Sequence, residues 1–518
     1  MEDRVFAVSG NRLANSSAED TAESAMAHHD GSSMFYPKST EEIARILKDA
    51  AEALSDDDPD DDHGIPRPRR PIAVVCGGCE ASNAPFMQVM TGADDEKEIM
   101  DDKIIIDLKN MKGVSVNAHE MLVTVSAGAT IEEVVKDLKT ANLALPLGTG
   151  QPVGVMGFLV NGGVSGYFSR RLGLLSQRVL SLTVVDCKGN VSKLTPNDEN
   201  TDWFAAMLGA GSALGIVTEA TFRAANASIL QKAHQYVFVP QAPGASSLTS
   251  VDNKDVEDNS LLVRRFSRKA IEFMREKVMP DESVSMEVVT TATNAAVVTV
   301  VFYDTFNDVN GCCTDKFCDL LLVHAKQMGL VVAKKDSWDT YYEVATALWP
   351  VIAGMEGHPL AMIQHCCGTR GSPSDVVLDF VEDVWIGEAP FQEATMSIVE
   401  ARTLGGAIRK GTKVPSGNMY NDFFVDLIVI YDAESKTIDE RKLIAEKTSR
   451  VVANARQQES CLVVDFSGTH SQLDDNDRPV KAVEIFGGES QAKMVKAMKD
   501  ELDPHNRFRF HPFARILK

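Results

Sequence analysis

The chain has 518 residues, of which 44% are hydrophobic and 24% are charged. This composition is ordinary for a globular protein, and the length indicates more than one domain. The formal net charge of −22 argues against nucleic acid and anionic membranes as partners, because both attract basic surfaces. No segment has the apolar length of a membrane span or a signal peptide, so we expect a cytoplasmic protein.

The first part of the chain alternates short strands and helices. A helix follows Ser39, whose side chain and Glu42 predict a capping box. Thr130 and Glu133 predict a second capping box, at the start of a helix over residues 131–138. Apolar runs rich in Val and Ile predict strands at residues 72–75, 103–108, 122–125, 179–185, 191–194 and 216–222.

The composition changes after about residue 225. Residues 226–260 are polar, which predicts a loop. Beyond this stretch, helical patterns such as residues 267–277 alternate with strand patterns such as residues 296–303 and 423–431. This alternation indicates a second α+β domain, which ends before a C-terminal helix at residues 489–501.

Three loops rich in glycine are each attached to a predicted strand. The first, at residues 76–82, has two adjacent glycines, which allow backbone N–H groups to converge on an anion such as a diphosphate. The loop has neither a GxGxxG pattern nor a P-loop lysine, so a plain tight turn is the alternative. The run 148–166 holds seven glycines in nineteen residues, and a third loop lies at residues 209–215. Such density indicates backbone packed closely against a flat or extended ligand.

The order of these segments resembles the FAD-binding domain of the vanillyl-alcohol-oxidase and p-cresol-methylhydroxylase superfamily, and its berberine-bridge-enzyme-like branch in particular. The matching segments are Phe35-Tyr36-Pro37, the loop 76–82, Ile106-Asp107-Leu108, residues 126–129, the run 148–166, residues 169–173, Asp202-Trp203-Phe204, residues 214–219 and, near the C-terminus, residues 503–508. The resemblance implies an α+β fold, in which a two-lobed FAD-binding domain of the p-cresol-methylhydroxylase type is joined to a substrate domain with an antiparallel sheet flanked by helices.

The resemblance also implies which residues bind FAD. Those expected to cradle the diphosphate are Cys76, Gly77, Gly78, Cys79, Glu80, Ala81 and Ser82. Those expected to lie along the isoalloxazine ring and ribityl chain are Gly148, Thr149, Gly150, Val153, Gly154, Gly157, Gly162, Gly163 and Gly166. Ile216 and Val217 would bind the cofactor through their backbone, and Asn506 would lie near the ring.

Two positions depart from the family pattern. Members of the branch often attach the flavin to a histidine in the first loop and a cysteine in the second, and here these places fall to Cys79 and Gly150. Bicovalent attachment is therefore not expected, and we predict non-covalent FAD, with a thioether to Cys79 as the alternative. Cys76 and Cys79 also form a C-x-x-C pair, but nothing else around them resembles a thioredoxin-like site.

The sequence offers three candidates for the catalytic base. Glu400, on an apolar strand, resembles the branch's residue over the flavin, and burial there would raise the pKa of its carboxyl. Pairing of Glu400 with Arg402, two residues along the same strand face, is an equal alternative. Tyr420 is a phenolic candidate, and Asp465 replaces part of the family's Tyr-x-Asn-Tyr segment. His365 beside two cysteines lacks an evident fourth ligand, so no metal site is predicted.

Together these observations predict an FAD-binding domain from residues 1–225, completed by residues 475–518, and a substrate domain from residues 226–474. The predicted activity is FAD-dependent oxidation of a small or mid-sized organic molecule, with hydride transfer to flavin N5 and O₂ as electron acceptor. Loss of the family's attachment sites keeps a second hypothesis open, in which the fold serves a redox-neutral cyclase or isomerase with a structural flavin or none.

Overall fold

The computed structural model describes residues 5–7, 27–29, 32–52, 70–77, 103–197, 199–241, 253–291, 294–306, 314–350, 359–383, 396–432, 482–509, 513–514 and 517. The strands are β1 (Val5–Ala7), β2 (Ala27–His29), β3 (Ser32–Phe35), β4 (Ile72–Val75), β5 (Ile104–Asp107), β6 (Val114–Asn117), β7 (Leu122–Ser126), β8 (Leu143–Ala144), β9 (Val179–Val185), β10 (Val191–Leu194), β11 (Ile216–Arg223), β12 (Ala225–Asn226), β13 (Leu230–Pro240), β14 (Val284–Thr291), β15 (Ala295–Tyr303), β16 (Leu330–Trp338), β17 (Pro359–Thr369), β18 (Met396–Thr403) and β19 (Phe423–Asp432). The helices are α1 (Thr40–Glu52), α2 (Ile131–Thr140), α3 (Val155–Val160), α4 (Ser169–Leu172), α5 (Thr201–Ala210), α6 (Asn253–Phe273), α7 (Thr314–Gln327), α8 (Tyr341–Ala345), α9 (Asp375–Asp383), α10 (Ala407–Lys410), α11 (Ala482–Ile485) and α12 (Glu489–Leu502).

The N-terminal part of the chain forms two small sheets. The first has the order β2-β3-β5-β4, and β5 pairs parallel with both β3 and β4. The second is antiparallel, with the order β10-β9-β11-β7-β6. Helices α1, α2, α3 and α5 bury their apolar residues in one core with these sheets. The predicted capping box of α2 is confirmed, since Thr130 and Glu133 each bond the other's backbone N–H.

Strands β8 and β12 pair with each other, and the remaining eight form one large antiparallel sheet in the order β1-β17-β19-β18-β14-β15-β13-β16. Successive side chains of a strand point to opposite faces. Val288, Ala401 and Val425 lie on the face covered by α6, α7 and α9. Their neighbours, such as Glu287 and Arg402, consequently lie on the other face. The predicted α+β class, with an antiparallel sheet flanked by helices, is confirmed.

The loop predicted over residues 226–260 is wrong. Leu230–Pro240 is an eleven-residue strand, and helix α6 begins at Asn253, before the predicted helix at 267–277. Polar and apolar residues alternate along β13, and its apolar side chains such as Tyr236 and Phe238 are buried. Averaging composition over the stretch concealed this period of two. In the described residues no helix combines the length and apolarity needed to cross a membrane.

The C-terminal segment returns to the small sheets. Asp503 is buried and accepts hydrogen bonds from Lys499 Nζ at 2.7 Å, from Arg507 N at 2.7 Å and from Phe508 N at 2.8 Å. The carbonyl of Arg507 accepts from Ile72 N at 2.8 Å, which extends the edge of β4. Buried charge-assisted bonds of this kind are strong, so they hold the segment after α12 against the first sheet.

Arg170 joins the two parts of the fold. Its guanidinium is buried and donates to five backbone carbonyls of the substrate-domain region. Those acceptors are Val284 O at 2.9 Å, Met279 O at 2.8 Å, Val278 O and Asp281 O at 3.2 Å each, and Leu404 O. Five donors in a rigid fork match this ring of carbonyls, which lysine could not satisfy. Burial lowers the pKa of Arg170 from its ordinary value.

We expect Arg170→Met to destabilise the protein strongly. The substitution leaves several buried carbonyls without donors, at about 1–3 kcal/mol for each group, so the total loss should be roughly 3 kcal/mol or more. Thermal unfolding followed by calorimetry would measure it. Arg171→Met is the matched control, because Arg171 makes a partly exposed ion pair with Asp304 at 2.8 Å whose loss should cost under about 1 kcal/mol. Equal losses in the two variants would contradict the anchoring role of Arg170.

Candidate functional site

The first two glycine-rich loops lie against each other. Strand β4 ends at Val75, and Cys76 Sγ then donates to Ala127 O at 2.8 Å. A Cβ added to Gly77 would lie 2.2 Å from Gly154 N, and one added to Gly154 would lie 2.3 Å from Cys76 Sγ. No side chain fits between these loops. Gly78, Cys79, Glu80, Ala81 and Ser82, which complete the first loop, lie outside the described residues.

The second loop is fixed to the start of helix α2. Ile131 N donates to Val153 O at 2.9 Å, and Val155 N donates to Ala129 O at 3.0 Å. Gly154 is the N-cap residue of helix α3, which contains Gly157. Gly148, Thr149 and Gly150 precede this bridge and are half-buried. The strand-to-helix connections thus bring the first part of the run next to Cys76 and Gly77.

The rest of the run reaches the large sheet. Gly162 and Gly163 have left-handed backbone, with φ of 96° and 69°. A Cβ on Gly163 would lie 2.6 Å from Leu175 Cβ, and one on Gly166 would lie 2.7 Å from Arg402 Nη1. Both positive φ and close contact require glycine at position 163. The glycines at 162–166 therefore form the surface where the two parts of the fold meet.

The third loop and the C-terminal segment supply further predicted FAD contacts. Ile216 and Val217 begin β11 and are buried, where they pair with Val185 and Val184 of β9. Asn506 has left-handed backbone, with φ of 49°, and its buried side-chain oxygen has no hydrogen-bond partner among the described residues. Nearly all buried polar groups have a partner in folded proteins.

The residues present fit FAD. Asn161, next to Gly162, also buries a side-chain oxygen that has no partner in the part of the chain that the structure describes. Unsatisfied polar atoms beside closely packed glycine backbone are what a polar, extended ligand would satisfy. The residues that would hold FAD are those of the first loop, the run 148–166, the start of β11 and Asn506.

An ionic cluster lies on the large-sheet face that meets the glycine run. Glu400 is buried and forms an ion pair with Arg402, the arrangement that the sequence offered as an alternative to a free base. Arg402 Nε lies 3.6 Å from Glu287 Oε1, its directly paired residue on β14. Tyr167 donates to Glu287 Oε2 at 2.7 Å. Two buried carboxylates, Glu287 and Glu400, therefore flank the single guanidinium of Arg402 on this face.

Asp426 lies directly opposite Glu400 on the neighbouring strand β19 and is buried. Side chains of directly opposed residues on one sheet face are about 4.5–5.5 Å apart at Cβ. Sequence reasoning missed both Asp426 and Glu287. The signal was available, because each is a single acidic residue within an otherwise apolar strand, in the sequences FFVDLIV and VSMEVV.

The other predicted bases are not part of this cluster in the described structure. Tyr420 ends a short 3₁₀ helix before β19, and its ring lies 5.1 Å from the Arg370 guanidinium and beside Gly487. Asp465 lies outside the described residues, as does its segment 463–466. The structure therefore brings together Glu400, Arg402, Glu287, Asp426 and the glycine run, but not Tyr420.

We expect Gly163→Ala to lower FAD occupancy, because the new Cβ strains the backbone and meets Leu175. Gly329→Ala is the matched control: Gly329 has a similar φ of 76° but no atom within 4 Å of a new Cβ. Strain alone should cost each variant roughly 1–2 kcal/mol. The ratio of flavin to protein absorbance after reconstitution would be compared. A full flavin complement in Gly163→Ala would contradict a tight flavin-side packing role for this glycine.

Comparison with known proteins gives three findings. The family described as FAD binding domain matches residues 66–195. An FAD-linked oxidoreductase of Dictyostelium discoideum is 32% identical over 135 residues, which are 26% of this chain and 29% of that protein. Among solved structures, BBE-like 1 of Physcomitrella patens has a TM-score of 0.65 at 14% identity, with 92% of this chain and 89% of that chain covered.

A second solved structure bears on flavin attachment. Glucooligosaccharide oxidase of Acremonium strictum has a TM-score of 0.64 at 17% identity and covers 92% of this chain and 90% of its own. Its flavin is described as 6-S-cysteinyl, 8α-N1-histidyl FAD. The sequence match to the Dictyostelium relative spans under a third of that protein's length. The structural similarities confirm the predicted fold, and the family match confirms an FAD-binding domain.

Proposed function

We propose that this chain is a member of the vanillyl-alcohol-oxidase and p-cresol-methylhydroxylase superfamily and an FAD-dependent oxidoreductase that oxidises a small or mid-sized organic substrate. The observation that carries the proposal is the buried acidic cluster of Glu400 and Asp426, on the sheet face that meets the glycine run 162–166. FAD, when bound, accepts a hydride at N5. The oxidation of an alcohol or amine also releases a proton, and the cluster supplies its acceptor.

Glu400 is the proton acceptor that we propose. Arg402 favours its ionised form, which is the form that can take a proton. Asp426, directly opposite, adds a second carboxyl at a distance where two negative charges repel. A proton accepted by Glu400 can therefore be shared with Asp426 across this pair of strands. Tyr420 and Asp465 remain the alternatives predicted from the sequence.

Proton transfer to Glu400 is favoured by a site that excludes water and holds the side chains in fixed positions. Glu287, Glu400 and Asp426 are each less than a tenth exposed, so water has little access to their charges. Low water content strengthens the attraction between these carboxylates and Arg402. The sheet fixes the strand positions of all four side chains, because backbone hydrogen bonds define their register. Orientation of this kind lowers the entropic barrier to proton transfer.

The acceptor of the electrons is the second part of the proposal. The sequence has no evident nicotinamide-binding motif, which favours O₂ as the oxidant of reduced flavin. The substrate is a small molecule, for which the junction of two parts of a fold is a common binding position. The buried oxygen of Asn161, next to Gly162, supports a polar ligand at this junction.

We expect reconstituted protein to bind FAD without a covalent bond. Cys79 stands where members of the branch have the histidine of the first loop, and Gly150 stands where they have the cysteine of the second. Neither attachment residue is therefore present. Acid precipitation should therefore release all flavin into the supernatant. Colour retained in the pellet of the wild type, and lost in Cys79→Ser, would instead establish a thioether. Protein that binds no FAD after reconstitution would overturn the oxidoreductase assignment.

Glu400→Gln should slow flavin reduction by about 10²–10⁴-fold, because the amide cannot accept the proton. A panel of alcohols, sugars and amines would be screened for anaerobic bleaching of bound FAD, and the rate then measured by stopped flow. Glu282→Gln is the control, since Glu282 is exposed and pairs with Lys410. An unchanged rate in Glu400→Gln would assign proton transfer to another group. Turnover of a panel compound without bleaching would favour the redox-neutral hypothesis.

A further inference from the structure

A continuous chain of polar contacts runs from the glycine run to Glu400. Tyr167 directly follows Gly166, and its hydroxyl donates to Glu287 Oε2 at 2.7 Å. Glu287 Oε1 lies 3.6 Å from Arg402 Nε, and Arg402 Nη2 forms an ion pair with Glu400 Oε1. One oxygen of Glu287 thus accepts from Tyr167, and the other faces Arg402. The chain crosses from the FAD-binding part of the fold to the large sheet.

The first link is rigid. Tyr167 is 2% exposed, and its backbone carbonyl accepts from the Tyr303 hydroxyl at 2.6 Å. Burial and the neighbouring Glu287 carboxylate raise the pKa of Tyr167 well above its ordinary value. The phenol therefore stays protonated and donates throughout the range in which enzymes work. Removing this donor would leave the charge of Glu287 less stabilised.

The second link is held from three sides. Arg402 lies between Glu287 and Glu400, its guanidinium carbon is 5.4 Å from the Phe424 ring centroid, and Nη1 lies against Gly166. A side chain at position 166 would meet that nitrogen, so glycine there is needed for the approach of Arg402. One cation shared by two buried carboxylates cannot neutralise both fully. The charge state of Glu287 therefore determines how strongly Arg402 acts on Glu400.

We propose that Tyr167, Glu287 and Arg402 are positioning residues which couple the flavin-side loop to Glu400 and set the protonation state of its carboxyl. This inference rests on the proposed role of Glu400 as proton acceptor. Arg402 holds the Glu400 carboxylate in place and ionised. Glu287 also attracts Arg402 and so weakens the effect of Arg402 on Glu400. Tyr167 stabilises the charge on Glu287. The loop that would lie along the flavin is in this way linked to the proton acceptor.

The groups around Glu400 come from three strands of the large sheet and from the first part of the fold. Arg402 shares its strand β18, Asp426 stands opposite on β19, and Glu287 lies on β14 next to Arg402. Tyr167 approaches from the first part of the fold. Cys366 holds the register position beyond Asp426 on β17. A variant that changes one charge in this set should move the titration of Glu400 in a direction fixed by the sign of the charge removed.

The test is a titration that needs no substrate. The infrared band of protonated carboxyl groups is followed against pH in the FAD-loaded protein, and the contribution missing in Glu400→Gln is assigned to Glu400. Arg402→Met removes a cation and should raise the midpoint by about one pH unit or more. Glu287→Gln removes an anion but can still accept from Tyr167, and should lower the midpoint. Tyr167→Phe should lower it by less than Glu287→Gln does.

Opposite shifts in two neighbouring variants distinguish charge coupling from general damage to the junction. Arg402→Lys keeps the charge and should retain most of the wild-type midpoint, whereas loss of packing alone would move Arg402→Lys and Arg402→Met alike. Arg171→Met removes a cation from the same junction but from a pair with Asp304, and should leave the midpoint unchanged. FAD content and thermal unfolding of each variant show that it is folded.

Shifts of equal sign in Arg402→Met and Glu287→Gln, or no shift in either, would overturn the inference. Failure of the proposed function gives a different result, namely bound FAD that no compound of the panel reduces. The infrared titration would still show whether Arg402 and Glu287 set the protonation of Glu400. With a reducing compound in hand, the acidic limb of the pH dependence of flavin reduction should follow the infrared midpoints in the same order. A limb that stays fixed while the infrared midpoints move would exclude Glu400 as the proton acceptor.

Discussion

The burial of the Arg170 guanidinium is the contact on which the rest of the arrangement depends. It comes from the segment directly after the glycine run and takes five carbonyls that belong to the turn before β14, to β14 itself and to the end of β18. Four of these carbonyls lie before or at the start of β14, which carries Glu287, and the fifth directly follows β18, which carries Glu400 and Arg402. A single side chain therefore fixes the distance between the glycine run and the ionic cluster. Desolvation of a cation is costly, and only a full set of acceptors offsets it.

This junction explains the distribution of glycine in the second half of the run. Early glycines such as Gly154 let two loops approach backbone to backbone, whereas Gly163 and Gly166 accommodate Leu175 and Arg402. The same residue type thus serves two different packing needs. The contacts of the early glycines, such as Gly154, lie entirely within the N-terminal part of the fold. The later part also depends on the large sheet, because the nitrogen next to Gly166 belongs to strand β18.

The buried charges illustrate why the sequence left the base undecided. The ion pair with Arg402, which the sequence offered as the alternative to a free base, coexists with the burial of Glu400. A buried carboxylate with a partner can remain ionised, so pairing does not remove it from consideration as a base. Glu287 and Tyr167 are separated by 120 positions along the chain, and no local pattern joins them. Their contact arises from the packing of the loop on the sheet.

Local features of the sequence were sufficient to locate the glycine-rich loops. Glycine density, strand ends and capping boxes act over a few residues, so the first loop, the run 148–166 and the helix at Thr130 could be predicted directly. The strand β13 was missed because a composition average hides alternation, and its burial depends on β15 and β16, which come more than fifty residues later. Strand pairing over such distances leaves little trace in local composition.

The sequence by itself determined the cofactor class and the two-part α+β fold, because glycine-rich turns and the order of motifs encode them locally. Only the tertiary structure decided which side chains share the sheet face with Glu400. Register between β14, β18 and β19 places Glu287, Arg402 and Asp426 there, and register follows from backbone hydrogen bonds along whole strands. A shift of one residue would turn every one of these side chains to the helix-covered face. The chemistry of the site therefore depends on strand pairing that no single segment specifies.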